Sequence, residues 1–154
     1  ASSDEKAKLA RAAGADGVVS YRSAGAADEI RRLAPDGMDV IVEVAPAVNA
    51  GLDLAVLAPN GTVAVYAMEG GRALDLSPEL MFRNVRYQFV LVYTVPAAAK
   101  AQAVADVAAA AAVGALPVGE SAGLPLHRFP LERAADAHAA VEGGAVGKVL
   151  IDLA

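Results

Sequence analysis

The stretch Met38 to Tyr66, MDVIVEVAPAVNAGLDLAVLAPNGTVAVY, constrains the fold of this chain more than any other. Asp39-Val40-Ile41-Val42-Glu43-Val44 is a nearly continuous apolar run. A strand covered on both faces reads this way, as in a parallel sheet. Val48 to roughly Leu57 follows as a helical segment, with Leu52, Ala55 and Val56 on one side. Pro59-Asn60-Gly61 stops it, because proline cannot continue a helix and Asn-Gly supplies positive φ. Thr62 to Tyr66 is then a second β-rich run. Strand, crossover helix and strand make a βαβ unit, right-handed by default. Ligands of such sheets bind beyond the carboxyl ends of the strands, here near Ala45 and Ala67.

The rest of the chain extends this α/β pattern. Ser2-Ser3-Asp4-Glu5 has the form of a capping box, with Ser2 as N-cap and Glu5 at the third helical position, opening a helix that ends near Gly14. Gly17 to Tyr21 reads as a short strand and Ala26 to Leu33 as an amphipathic helix, followed by the turn Pro35-Asp36-Gly37. Ala73 to Leu76 is a candidate extended piece, and Ser77-Pro78 opens a short helix reaching about Arg83. Arg86 to Tyr93 (RYQFVLVY) is the clearest strand. Pro96 opens an alanine-rich helix ending near Gly114, Leu131 to Val141 is a further amphipathic helix, and Lys148 to Leu153 is a closing strand.

Composition narrows the function classes. Of the 154 residues, 56% are apolar and 20% charged, which describes a globular chain with one ordinary core. A net charge of −5 argues against a nucleic-acid surface. The absence of cysteine removes disulfides, thiolate nucleophiles and cysteine-rich zinc sites, and fits a reducing, cytoplasmic setting. The longest uncharged stretches, 54–68, 87–99 and 107–119, fall short of the ~20 residues a membrane helix needs. No membrane partner is expected.

Four segments in order carry a resemblance: KLARAAGADGVVSYR (8–22), DVIVEVAPAVNAGLDLAVLAPNGTVAVY (39–66), LMFRNVRYQFVLVY (80–93) and HRFPLERAADAHAAVEGGAVGKVLIDL (127–153). Together they resemble the C-terminal half of the medium-chain dehydrogenase/reductase superfamily, in its quinone oxidoreductase, or zeta-crystallin-like, branch. The resemblance implies a partial Rossmann fold: a parallel doubly wound sheet whose first strand and Gly-rich loop are absent from the sequence. Residues 1–119 then belong to the nucleotide-binding domain, and residues 120–154 return as a helix and strand toward a GroES-like catalytic domain. The implied activity of the parent enzyme is hydride transfer from NADPH to a quinone or other conjugated carbonyl acceptor. Neither Gly70-Gly71 nor Gly143-Gly144 has the G-x-G-x-x-G spacing that holds a pyrophosphate, so weak or absent NADPH binding and no activity are expected of this chain by itself. A zinc-dependent alcohol dehydrogenase of the same superfamily and a non-catalytic structural or dimerisation module are the alternatives.

The resemblance also assigns candidate cofactor residues. Ser2, Ser3, Lys6, Tyr21 and Arg22 match positions around the 2′-phosphate of NADPH, where serine plus a cation accommodates a phosphate. Their alternative roles are helix capping and solvated charge. Val44, Ala45, Tyr66, Ala67, Val90, Leu91 and Val92 match the nicotinamide end. Pro46 and Ala67 stand where the family commonly has glycine; ordinary packing is the alternative there. Gly147 and Lys148 match a terminal element near the phosphates, or form a solvated pair. No catalytic acid, base or nucleophile and no metal ligand is assigned. His127 and His138 read as structural or surface residues, and Asp39 and Glu43, spaced i, i+4 on a strand, do not read as an acid–base pair. The family commonly dimerises through the strand matching 86–93; an exposed aromatic, β-branched edge strand suits such pairing, and an edge covered within one subunit is the alternative.

Overall fold

The computed structural model describes residues 1–68 and 77–153, so the expected extended piece at 73–76 lies outside the described residues. The chain divides into two units, Ser23–Ala103 and Ala1–Arg22 together with Val104–Ala154.

The first of these is built on a three-stranded parallel sheet. Helix α2 (Ala26–Leu33) precedes β1 (Met38–Glu43), α3 (Pro46–Val56), β2 (Leu57–Val65), α4 (Glu79–Phe82) and β3 (Arg86–Phe89), α1 (Asp4–Ala12) lying in the other unit. The strand order is β1-β2-β3, so β2 is central. This is the βαβ unit expected from 39–66, with a further parallel strand added. Pro46 stands at the first turn of α3, where its missing N–H costs nothing. The helix buries Pro46, Asp53 and Val56, a spacing close to two and three helical turns, while Ala55 is exposed. Its inward face is therefore rolled toward Asp53 relative to the expected Leu52–Ala55–Val56 side.

β2 begins immediately at Leu57, before the expected stop signal. Met38 pairs with Leu57 and Val40 with Thr62, so 58–61 bulges from the ladder instead of separating helix from strand. Asn60 takes φ 63° in this bulge, its N–H donating to the Arg83 carbonyl at 2.8 Å. Arg86 braces the same turn from β3, Nη2 donating to the Asn60 carbonyl at 2.9 Å. The core of the unit is Leu57, Val63 and Val65, with Ile41, Val85 and Tyr87 packed against it. The fully buried Leu57, Val63 and Val65 each contribute about 1.5–3 kcal/mol. Among the described residues β1 ladders only with β2, and its Val40 and Val42 are 56% and 68% exposed.

In the other unit, α1 (Asp4–Ala12) starts at an N-cap provided by Ser3, whose Oγ accepts from the Lys6 N–H at 3.3 Å; the cap is one residue later than the capping box at Ser2 implies. Gly17–Tyr21 forms no strand. A strand needs a ladder, and what this segment has is one bond from the Ala1 amino group to the Val19 carbonyl, 2.5 Å. Strand β4 (Leu126–Pro130) pairs in parallel with β5 (Lys148–Asp152), and α6 (Ala134–Glu142) links them and buries Ala137. Helix α5 (Ala97–Ala112) forms where the alanine tract predicts a helix, and none of its residues is buried.

Candidate cofactor site

Register decides what the three parallel strands can present together. Glu43 is opposite Val65, and Val65 is opposite Phe89. The residues that follow, Val44, Tyr66 and Val90, therefore leave the sheet side by side at its carboxyl end. Two ladder bonds hold them there: the Tyr66 N–H donates to the Glu43 carbonyl at 3.2 Å, and the Val90 N–H to the Val65 carbonyl at 2.8 Å. The seven candidates of the nicotinamide end, Val44-Ala45, Tyr66-Ala67 and Val90-Leu91-Val92, thus share one edge of one unit. Val44, Ala45 and Ala67 are half-buried, whereas Tyr66, Leu91 and Val92 are about 60% exposed. The strand expected over 86–93 is ordered as β only to Phe89, because β2 ends at Val65 and offers no further ladder partner; Leu91 to Thr94 is a turn closed by the Thr94 N–H on the Leu91 carbonyl at 2.9 Å.

The turn between β1 and α3 is held by a side chain that the strand pattern does not single out. Oε1 of Glu43 accepts from the N–H groups of Val44 (2.6 Å) and Ala45 (2.5 Å), and Asn49 Nδ2 donates to both carboxylate oxygens at 3.1 and 3.0 Å. Those N–H groups face Glu43, so Val44 and Ala45 are left to offer a neighbour apolar contact. Asp53, one turn beyond Asn49, lies on the same helix face and is buried with Glu43. Burial first, then the charge and hydrogen bond of Glu43, push its carboxyl up to about 7. Burial and the same two carboxyl groups raise the phenol of Tyr87 above its ordinary value. The i, i+4 pair Asn49/Asp53 is the visible signal in the sequence; what it lacks is which way α3 is rolled.

The remaining candidates belong to the other unit. Ser3 is engaged as the cap of α1, Ser2 is half-buried, and Lys6, Tyr21 and Arg22 are exposed. Gly147 has φ 116°, and a Cβ there would lie 2.5 Å from the Pro125 carbonyl oxygen, so its glycine is required by the close approach of β5 to the segment before β4. The Lys148 N–H donates to that same carbonyl at 2.9 Å. Gly147 and Lys148 border an apolar groove of about 240 Å³ that Leu9 of α1 also lines; Ser2, Ser3 and Lys6 are not among its lining residues. His127 donates from Nε2 to the Val146 carbonyl at 2.8 Å, a structural tie, and His138 is exposed.

Among the described residues there is no group of three His, Cys, Asp or Glu side chains able to hold a metal ion. They do not fit a zinc site, and no step is assigned to zinc on them. No helix among them is long and apolar enough to cross a membrane.

A family model described as zinc-binding dehydrogenase matches residues 1–112. A search of curated protein sequences gives no significant match. Among solved structures, the chain is similar to a mycobacterial protein complexed with NADPH (26% identity, TM-score 0.73, covering 97% of this chain and 46% of that one). It is also similar to a quinone oxidoreductase of Pseudomonas syringae pv. Tomato DC3000 (21%, TM-score 0.77, 99% and 47%). An NAD-dependent alcohol dehydrogenase gives 24% identity, TM-score 0.75, and coverage of 99% and 42%. The chain spans less than half the length of each of these solved chains. Parallel strands, the matched family model and these likenesses agree on a Rossmann-like α/β fold, and the chain belongs to the zinc-binding dehydrogenase family of the medium-chain dehydrogenase/reductase superfamily.

Proposed function

We propose that this chain supplies the nicotinamide side of the cofactor site of an NADPH-dependent oxidoreductase that reduces a quinone or another conjugated carbonyl acceptor. The observation that carries the reading is the register Glu43–Val65–Phe89, which sets the strand ends 44–45, 66–67 and 90–92 in one row. Ligands of open parallel sheets bind beyond such ends. Half-buried Ala45 and Ala67 flanked by exposed Tyr66 and Leu91 make an apolar edge suited to a flat nicotinamide ring. The cofactor, when bound, supplies the hydride; this chain's residues position the ring and exclude water from it. Ser2, Ser3, Lys6, Tyr21 and Arg22, with Gly147 and Lys148, are proposed for the adenosine and phosphate end. Residues 1–119 are assigned to the nucleotide-binding domain and 120–154 to a segment that packs toward a catalytic domain.

Two similar proteins with bound NADPH, the mycobacterial protein and a Vibrio vulnificus protein, support that cofactor; the similarity to an NAD-dependent alcohol dehydrogenase supports the alternative of an alcohol dehydrogenase of the same superfamily. A titration of the chain with NADPH, followed by nicotinamide fluorescence, tests the reading. Weak saturable binding that is competed by reduced nicotinamide mononucleotide supports it. Folded chain with no response to millimolar cofactor favours a structural or dimerisation role.

A further inference from the structure

Among the described residues, the buried side-chain oxygen without a hydrogen-bond partner is Oδ2 of Asp53, a residue only 4% exposed. Beside it is Glu43, 5% exposed, its carboxyl group within hydrogen-bonding reach of Asp53. Among the described residues neither acid is in a salt bridge. The guanidinium groups that reach α3 are turned to its backbone: Arg83 Nη1 donates to the Leu54 carbonyl at 2.6 Å and Arg31 Nε to the Ala55 carbonyl at 2.7 Å. From β3 the facing titratable group is Tyr87, a neutral phenol whose proton is held more tightly by burial first and then by the two acids. Two carboxylates in contact inside a protein do not both stay ionised. Glu43 already accepts from three N–H donors, which suits it as the acceptor and leaves the proton to Asp53.

We propose that Asp53 holds a proton shared with Glu43, and that this acid pair is a positioning device that clamps the β1–α3 turn at the carboxyl end of the sheet. The Asp53 O–H donates to Glu43, and Glu43 in turn holds the N–H groups of Val44 and Ala45. Loss of the proton sets two negative charges side by side, and the cheapest relief is for Glu43 to swing away from the turn. The pair thus couples the shape of the turn to pH near neutrality. Its effect on a nicotinamide rests on the function proposed above; the shared proton does not.

Carboxyl-¹³C NMR of the Asp-labelled chain tests the pair without any variant. One Asp resonance is expected to titrate with a midpoint near 7, and the amide signals of Val44 and Ala45 should shift with the same midpoint. Asp53→Asn, which keeps a donor toward Glu43 but cannot titrate, should remove that resonance and hold the two amide signals at their low-pH positions. If every Asp carboxyl titrates in the ordinary range near 4 in the folded chain, the proposal is overturned, whatever NADPH does. If the Asp signal near 7 is present and cofactor fails to bind, the acid pair stands and the cofactor reading falls.

Discussion

Gly37 and Ala58 approach so closely that a methyl group on Gly37 would lie 2.8 Å from the Ala58 backbone nitrogen. Gly37 also has φ +90°, a conformation that residues with a Cβ rarely adopt. The turn into β1 and the first residues of β2 are thereby fixed against each other, ahead of the register that aligns the strand ends. Gly37→Ala should lower stability by at least about 1–3 kcal/mol from backbone strain, before the contact is counted. Gly51 is the internal control. It is in α3, where a methyl group would meet nothing within 4 Å, and Gly51→Ala should raise stability by about 0.5–1 kcal/mol. Thermal melts of the two variants check both signs.

The pH dependence of stability follows from Asp53. Its carboxyl titrates at about 7 in the folded chain and at 3.8 when unfolded, so between those values the folded state binds more protons. Stability from this group is therefore complete below about pH 4 and is lost as pH rises toward 7, with a slope approaching 1.4 kcal/mol per pH unit. The difference between the parent chain and Asp53→Asn in urea melts isolates the effect. The parent should lose stability relative to the variant from pH 5 to 7, and a flat difference would place the Asp53 proton elsewhere.

Capping separates the two serines at the start of α1. Ser3 Oγ accepts from the Lys6 N–H, and Ser2 makes no such bond to the helix. Ser3→Ala should cost about 1 kcal/mol and Ser2→Ala far less. Reduced helicity by circular dichroism in the first variant alone would agree with this assignment; equal effects would not.

Dimerisation through residues 86–93 is a proposal with a direct test. β3 is an edge strand among the described residues, and Phe89 on it is 55% exposed. A lysine on such an edge opposes strand pairing. Sedimentation of the parent chain should show a dimer that Phe89→Lys converts to monomer. A parent chain that is monomeric at all concentrations would remove the edge as an interface.

The elements legible in the sequence are those whose signal is local. The apolar run 39–44, the alanine tract after Pro96 and the closing KVLID strand need only periodicity and propensity, and all three are present. What cannot be read depends on partners. Gly17–Tyr21 has strand-forming residues but no ladder to join, and Arg86–Tyr93 stops at Phe89 where its neighbour ends. β4 escapes a reading by pattern because Arg128 and Pro130 break an apolar run that its pairing with β5 does not need. The Glu43–Asn49–Asp53 cluster joins a strand end to one face of a helix, and that face is chosen by packing on the sheet. For the candidate site, the strand ends 44–45, 66–67 and 90–92 are legible as one row, while the acid that holds the first of them is not.

That these three strand ends form one nicotinamide-binding edge is measured most directly by titrating ¹⁵N-labelled chain with NADPH and following amide chemical shifts. Val44, Ala45, Tyr66, Ala67, Val90, Leu91 and Val92 are predicted to shift together along one weak binding curve, and reduced nicotinamide mononucleotide to move the same set. A folded chain whose shifts stay fixed at these residues, or move only elsewhere, would contradict it.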